Sequence, residues 1–183
     1  MKDDHLLKYR EIFIYGEIET ELALSINKSL HLLDYKNSEL PIFIYINSDG
    51  GNIYDGFSII DCIRNCKSVI YTIVLGEACS MGAEILLAGD YRYASSNSTI
   101  MFHEVSMGLE GPRKEYQSLS KHINIQESKY IKSLSKRIKI SIQKLKDIRN
   151  SGEYMIADKA KSLKLIDGIW DYKIKDLVYN YKE

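Results

Sequence analysis

The sequence predicts an α/β fold. Three observations carry that prediction: short apolar runs suited to buried strands, helix-period stripes that follow them, and polar glycine-bearing turns in between. Residues Glu11 to Tyr15 are β-rich, and after Glu19 the side chains of Leu22, Ile26, Leu30 and Leu33 fall on one helical face. The pattern then recurs. Ile42 to Ile46 reads IFIYI, apolar throughout as in a parallel strand covered on both faces, and Ile53, Phe57, Ile60 and Ile63 give the stripe of the next helix. The turn between them is NSDGG.

A second apolar run, Val69 to Leu75, ends at Gly76 and passes through EAC into SMGAEILLAG, a helix-like stretch of small and aliphatic residues. Short β-like pieces follow at Tyr91 to Ala94 and Thr99 to His103. The segment from Arg113 to Arg137 then alternates polar and apolar residues as an exposed helix does. The basic stretch Lys132 to Lys146 interleaves its lysines with Ile and Leu, which is the solvated face of an amphipathic helix rather than a nucleic-acid patch. Only Pro41 and Pro112 occur, with no linker, repeat or low-complexity tract, so the 183 residues are expected to form one domain.

Composition narrows the function. Lysine and arginine total 25 against 25 aspartate and glutamate, so the formal net charge is 25 − 25 = 0, and 45% of residues are hydrophobic. That is enough apolar mass for a real core, and it leaves no basic surplus to meet nucleic acid or an anionic membrane. The N-terminus, MKDDHLLKYR, is too polar for a signal-peptide core, and no apolar run approaches a membrane span, so a cytoplasmic protein is expected. Cys62, Cys66 and Cys79 cannot all pair. Cys62 and Cys66 have i, i+4 spacing but no second Cys or His pair to complete a zinc site, so buried thiols and no metal or cofactor are expected.

Two loops lie where open α/β sheets gather ligands, at the carboxyl ends of strands. In NSDGGN, Gly50 and Gly51 allow close backbone approach; a plain turn is the simpler reading. In GEACSMG, Ser80 sits between a strand and a helix start, as a nucleophile would on an elbow or as an N-cap would, and the amide of Met81 could face an oxyanion. A serine nucleophile needs a base. Of His5, His31, His103 and His122, only His103 ends a β-like run, where a side chain can reach a crevice.

Taken in order, the strings LLKYREIFIYGEI, IYINSDGG, GEACSMGAEILLAG, NSTIMFHE and YMIADKAKSLKLIDGI resemble the proteolytic subunit of the ATP-dependent Clp protease, a serine peptidase of the Clp/crotonase superfamily. The resemblance runs from about Leu6 to Ile169. It implies a repeated β-β-α superhelix with a handle helix at about 113–137. It also implies Ser80 as nucleophile, His103 as general base, and amides of Gly51 and Met81 as the oxyanion hole. A substrate strand would bind beside the Gly50 loop and the residues after His103. The implied partners are copies of the chain in a heptameric ring or a double-ring tetradecamer, or a related subunit, together with an AAA+ unfoldase and unfolded protein substrates.

The sequence departs from the family's pattern at three places. The acidic residue expected three positions before Met155 is Gly152; Glu153 beside it is the candidate third catalytic member, and Asn150 a weaker hydrogen-bonding one. Asp49 stands where the family carries proline. The chain also begins almost at the first shared strand, so the axial loops that face the ATPase are expected to be short or missing. Two other readings follow: a silent ring subunit supporting an active paralogue, and a crotonase-like acyl-CoA enzyme, which would use carboxylates rather than Ser80 and His103. A bacterial, phage or organellar setting fits each of them.

Overall fold

The structure is a computed structural model that describes residues 8–105 and 112–180, the last four through their backbone alone. The described residues group into two compact units, one running to Met101 and resuming at Tyr154, the other spanning Phe102–Glu153.

The first unit is a mixed α/β layer built on a mostly parallel sheet, as the alternating pattern predicts. Its elements are β1 (Glu11–Tyr15), α1 (Thr20–Lys36), β2 (Ile42–Ser48), α2 (Ile53–Asn65), β3 (Ile70–Cys79), α3 (Met81–Leu86), β4 (Tyr91–Ala94) and β5 (Thr99–Met101). They resume as β6 (Tyr154–Ile156), α6 (Ala157–Ser162), β7 (Gly168–Ile169) and α7 (Tyr172–Asn180). The strand order is β1-β2-β3-β4-β7, every neighbouring pair parallel, while β5 pairs β3 in parallel and β6 in antiparallel fashion.

Strand β2 is buried on both faces, which is why it reads as an uninterrupted apolar run. On one face Phe43, Tyr45, Tyr71, Ile73 and Trp170 form an aromatic cluster, with Phe43 stacked on Tyr71 at 5.0 Å between ring centroids. The alternating Ile42, Ile44 and Ile46 point the other way and are wholly buried. Helix α1 packs on α2, and α3 packs on β3 and β2. The stripe of α1 is centred slightly differently from its sequence reading: Ala23, Ile26, Leu30 and Leu33 are buried, whereas Leu22 is half-buried.

Two features of β3 escape a periodicity reading. The strand continues past Leu75, where its apolar run stops, through Gly76 to Cys79, because Glu77, Ala78 and Cys79 pair with Thr99, Ile100 and Met101 of β5. Its pairing with β2 is also irregular: Ile46 faces Val74, but Ser48 faces Ala78. Gly76 absorbs that bulge at φ 101°, and an added Cβ would lie 2.4 Å from Asn47 Oδ1. Between β4 and β7 the connection is charged. Arg92 donates from Nε and Nη2 to the two Asp167 oxygens at 3.1 and 2.7 Å, the paired geometry that suits guanidinium and carboxylate.

The second unit contains α4 (Arg113–Ile138) and α5 (Ile142–Ser151), which pack on each other. Helix α4 buries Ile123, Tyr130, Ile131, Leu134 and Ile138 and leaves a mostly polar outer face that also exposes Ile125. Among the described residues, no helix is long and apolar enough to cross a membrane. The thiols need a correction: Cys79 is buried as expected, but Cys62 and Cys66 are only half-buried, Cys62 in the last turn of α2 and Cys66 at its C-cap.

Candidate active site

Ser80 joins β3 to α3 at φ 52° and ψ −120°, a backbone region that a residue with a Cβ enters only at a cost of about 1–3 kcal/mol. It occupies the N-cap position, yet its side chain makes no cap hydrogen bond. The hydroxyl therefore sits on a strained strand-to-helix turn and does not bond the first turn of α3. The turn is fixed from behind by the Ser80 amide, which donates to the Met101 carbonyl at 2.8 Å. Ser80 itself is half-buried, while all six residues of α3 are buried.

The glycine loop lies against this turn. A Cβ added to Gly50 would sit 2.7 Å from Ser80 Cβ and 3.2 Å from both Ser80 Oγ and the Cys79 carbonyl, so glycine is what permits the approach. Gly50 (φ 118°) and Gly51 (φ 144°) both hold conformations that favour glycine. Gly51 runs beside Ile18, forming a parallel bridge to it; Gly50 accepts from the Ile18 amide at 2.7 Å, and the Asn52 amide donates to Ile18 at 2.8 Å. Asp49 is exposed on this loop. Met81, just after the serine, turns its side chain inward against Gly56, where an added Cβ would meet Met81 Cγ at 2.0 Å.

Ser48 and Asn52 also shape the loop, and neither stands out as functional in the sequence. Ser48 is 1% exposed, accepts from the Gly50 amide at 3.1 Å, and backs Gly82, whose added Cβ would lie 3.0 Å from the Ser48 carbonyl. Asn52 caps α2 by accepting from the amides of Tyr54 and Asp55 at 2.8 and 3.2 Å. An asparagine immediately before a helical stripe is a legible cap signal. Ser48 gives none, because its role depends on a bulge.

In the second unit, His103 is half-buried and its Nδ1 is hydrogen-bonded to the Glu104 carbonyl. A carbonyl can only accept, so Nδ1 is the donor in this bond. Glu104 is itself held: with its amide oriented to satisfy both neighbours, Asn150 donates to Glu104 Oε1 at 2.9 Å and to the Lys146 carbonyl at 3.0 Å. Asn150 therefore meets the histidine's neighbour. Arg149, one residue earlier, donates to Glu127 at 2.9 Å; burial lowers the guanidinium to about 10, and burial together with Glu104 raises the Glu127 carboxyl.

Gly152 ends α5 as a left-handed C-cap at φ 58° and ψ 23°, with nothing within 4 Å of an added Cβ. Glu153 is exposed, and its amide donates to Ser151 Oγ at 3.3 Å. Of the strand-binding residues expected after His103, Glu104 and Val105 are described, and positions 106–111 lie outside the described residues. Among the described residues, no group of three or more His, Cys, Asp or Glu could hold a metal ion.

Compared with known families, the chain matches the family model of Clp protease over residues 2–173.

Proposed function

Because the chain belongs to the Clp protease family, whose members form oligomeric rings and work with unfoldases, we propose that it is a serine endopeptidase subunit in which Ser80 and His103 hydrolyse peptide bonds of unfolded proteins. The observation that carries this reading is the backbone of Ser80, strained and uncapped at a strand-to-helix turn with Gly50 packed against it. His103 Nε2 takes the Ser80 proton as the hydroxyl attacks a substrate carbonyl. The amides of Gly51 and Met81 stabilise the tetrahedral oxyanion, the imidazolium protonates the leaving amine, and water then hydrolyses the acyl-enzyme. The substrate backbone lies as an added strand beside Gly50.

The histidine is held by the Glu104 carbonyl instead of an acid at Gly152. A neutral carbonyl sets the tautomer but stabilises the imidazolium less than a carboxylate does, so turnover is reduced. Replacing the third member costs about four orders of magnitude in the chymotrypsin-type example. Glu153 is the nearest carboxylate in sequence to the vacant position and serves as third member only if the turn after α5 shifts.

The assembly is a ring of this chain or of this chain with a related subunit, acting with an AAA+ unfoldase in a cytoplasmic compartment. Helix α4 supports that reading with exposed Ile125 and a groove beside Tyr116 and Lys121. A silent ring subunit is the second reading, favoured by Gly152. Fluorophosphonate labelling with peptide mass spectrometry separates the two. An adduct on Ser80 that is lost in His103→Ala supports the peptidase; no adduct in folded, oligomeric protein supports the silent subunit.

A further inference from the structure

Outside the serine turn, the half-buried cysteines at the end of α2 form the most distinctive reactive group among the described residues. Cys62 lies in the last turn of the helix and Cys66, four residues on, is its C-cap. Cys62 Sγ also contacts the Asn27 carbonyl of α1 at 3.8 Å. We propose that Cys62 and Cys66 are a reversible oxidation site that closes to an intrachain disulfide on reaction with a small-molecule disulfide of the glutathione class.

The geometry of the helix end permits this closure. Residues four apart on a helix have Cα atoms about 6.2 Å apart, inside the range disulfides span. Their Cβ atoms, about 5–6 Å apart, must still close to roughly 3.5–4.5 Å, which a helix interior resists. Here little resists. Cys66 keeps a helical φ of −63°, so its Cβ still points along the Cys62 row, but its ψ of 143° releases the chain from the helix. The Cys66 amide is held by the Cys62 and Ile63 carbonyls through long bonds of 3.2 and 3.3 Å. Beyond Cys66 the amides of Lys67 and Ser68 are anchored on Asp34 at 3.0 and 2.7 Å, which confines the adjustment to the cap.

In the proposed sequence Cys66 resolves and the first attack is made by Cys62. Its thiolate displaces one thiolate from the small disulfide and forms a mixed disulfide. Cys66 then loses its proton and attacks the Cys62 sulfur, forming the intrachain bond and expelling the second thiolate. The two cysteines lose two electrons and two protons, and the small disulfide becomes two thiols. A bond made by distorting a cap is readily reduced, so the site is reversible. Cys79 is buried, and its thiol is pushed up to about 11 by burial and Glu77, so it is the unreactive internal control.

The test is incubation of the full-length protein with oxidised glutathione, trapping of free thiols by alkylation, and mass spectrometry before and after reduction. Arg64 lies between the cysteines, so trypsin cuts the chain there. The expected result is loss of two hydrogens from the intact protein, with the peptide ending at Arg64 and the peptide Asn65–Lys67 joined until reduction. Cys66→Ser is expected to retain a glutathione adduct on Cys62. A wild-type protein that keeps the adduct without closing, that shows no loss of the two thiols, or that oxidises Cys79 as readily overturns the proposal.

Discussion

The amide of Ser80 donates to the carbonyl of Met101 at 2.8 Å, tying the serine turn to the end of β5. Cys79 is opposite Met101 in the parallel register of β3 and β5, so the two strands end level. The chain reaches His103 two residues later. A slip of one residue in this three-residue pairing would reverse which side chains face the core, so the short β5 fixes the serine turn more than its length suggests.

Gly50 is predicted to be intolerant of a side chain. In Gly50→Ala the new methyl would meet Ser80 Cβ at 2.7 Å and require a backbone at φ 118°. The expected cost is about 1–3 kcal/mol of stability, and the displaced serine should label with fluorophosphonate about 100-fold more slowly. Urea denaturation and labelling kinetics check both, and a variant matching wild type in each would show that the loop does not pack on Ser80.

Gly152→Asp places a carboxylate at the position where the resemblance to the family implies one. Aspartate tolerates left-handed backbone better than most residues, and the site has open space around an added Cβ, so the fold should survive with a loss of about 1 kcal/mol or less. The expected gain in Ser80 labelling rate is at least about tenfold, since a carboxylate stabilises the imidazolium more than a neutral carbonyl does. An unchanged rate in folded protein would mean that this position does not reach the histidine.

Acid stability should depend on Asp34. Burial raises its carboxyl, but hydrogen bonds from the Ser68 and Lys67 amides and the Ser68 hydroxyl outweigh it and leave the group below the usual carboxylate range. A depressed folded value gives stability that is present above the unfolded carboxylate pKa and is lost as pH falls through the folded one. Asp34→Asn should therefore flatten the acid limb of the stability profile, measured as thermal midpoint against pH. A wild-type limb retained in the variant would contradict the assignment.

The Glu127 and Arg149 pair should be costly to break singly. The two side chains are 24% and 9% exposed, and burial pushes both toward their neutral forms. Glu127→Ala leaves a buried guanidinium without its carboxylate and is expected to cost about 3 kcal/mol, whereas Glu127→Ala with Arg149→Leu should recover most of the loss. Chemical denaturation of the single and double variants decides it, and equal losses in both would show that the charge is not what matters.

Much of this was legible in the sequence because it depends on local periodicity. IFIYI had to be covered on both faces, the α1 and α2 stripes had to find a sheet, and the order of the Clp-like strings pointed to a family that the match over residues 2–173 shows. What the sequence did not announce depends on pairings between distant residues. Strands β6 and β7 have three and two residues, too few for any period to register; β5 was readable as a β-like piece over Thr99 to His103, but it is held in the sheet because β3 extends past Gly76 to meet it. The strain at Ser80, the approach of Gly50 to it from a loop distant in the chain and the Asn150 contact with Glu104 were decided by tertiary structure alone. Backbone conformation at such places is set by the elements that clamp a residue from both sides, and not by the residue's own preference.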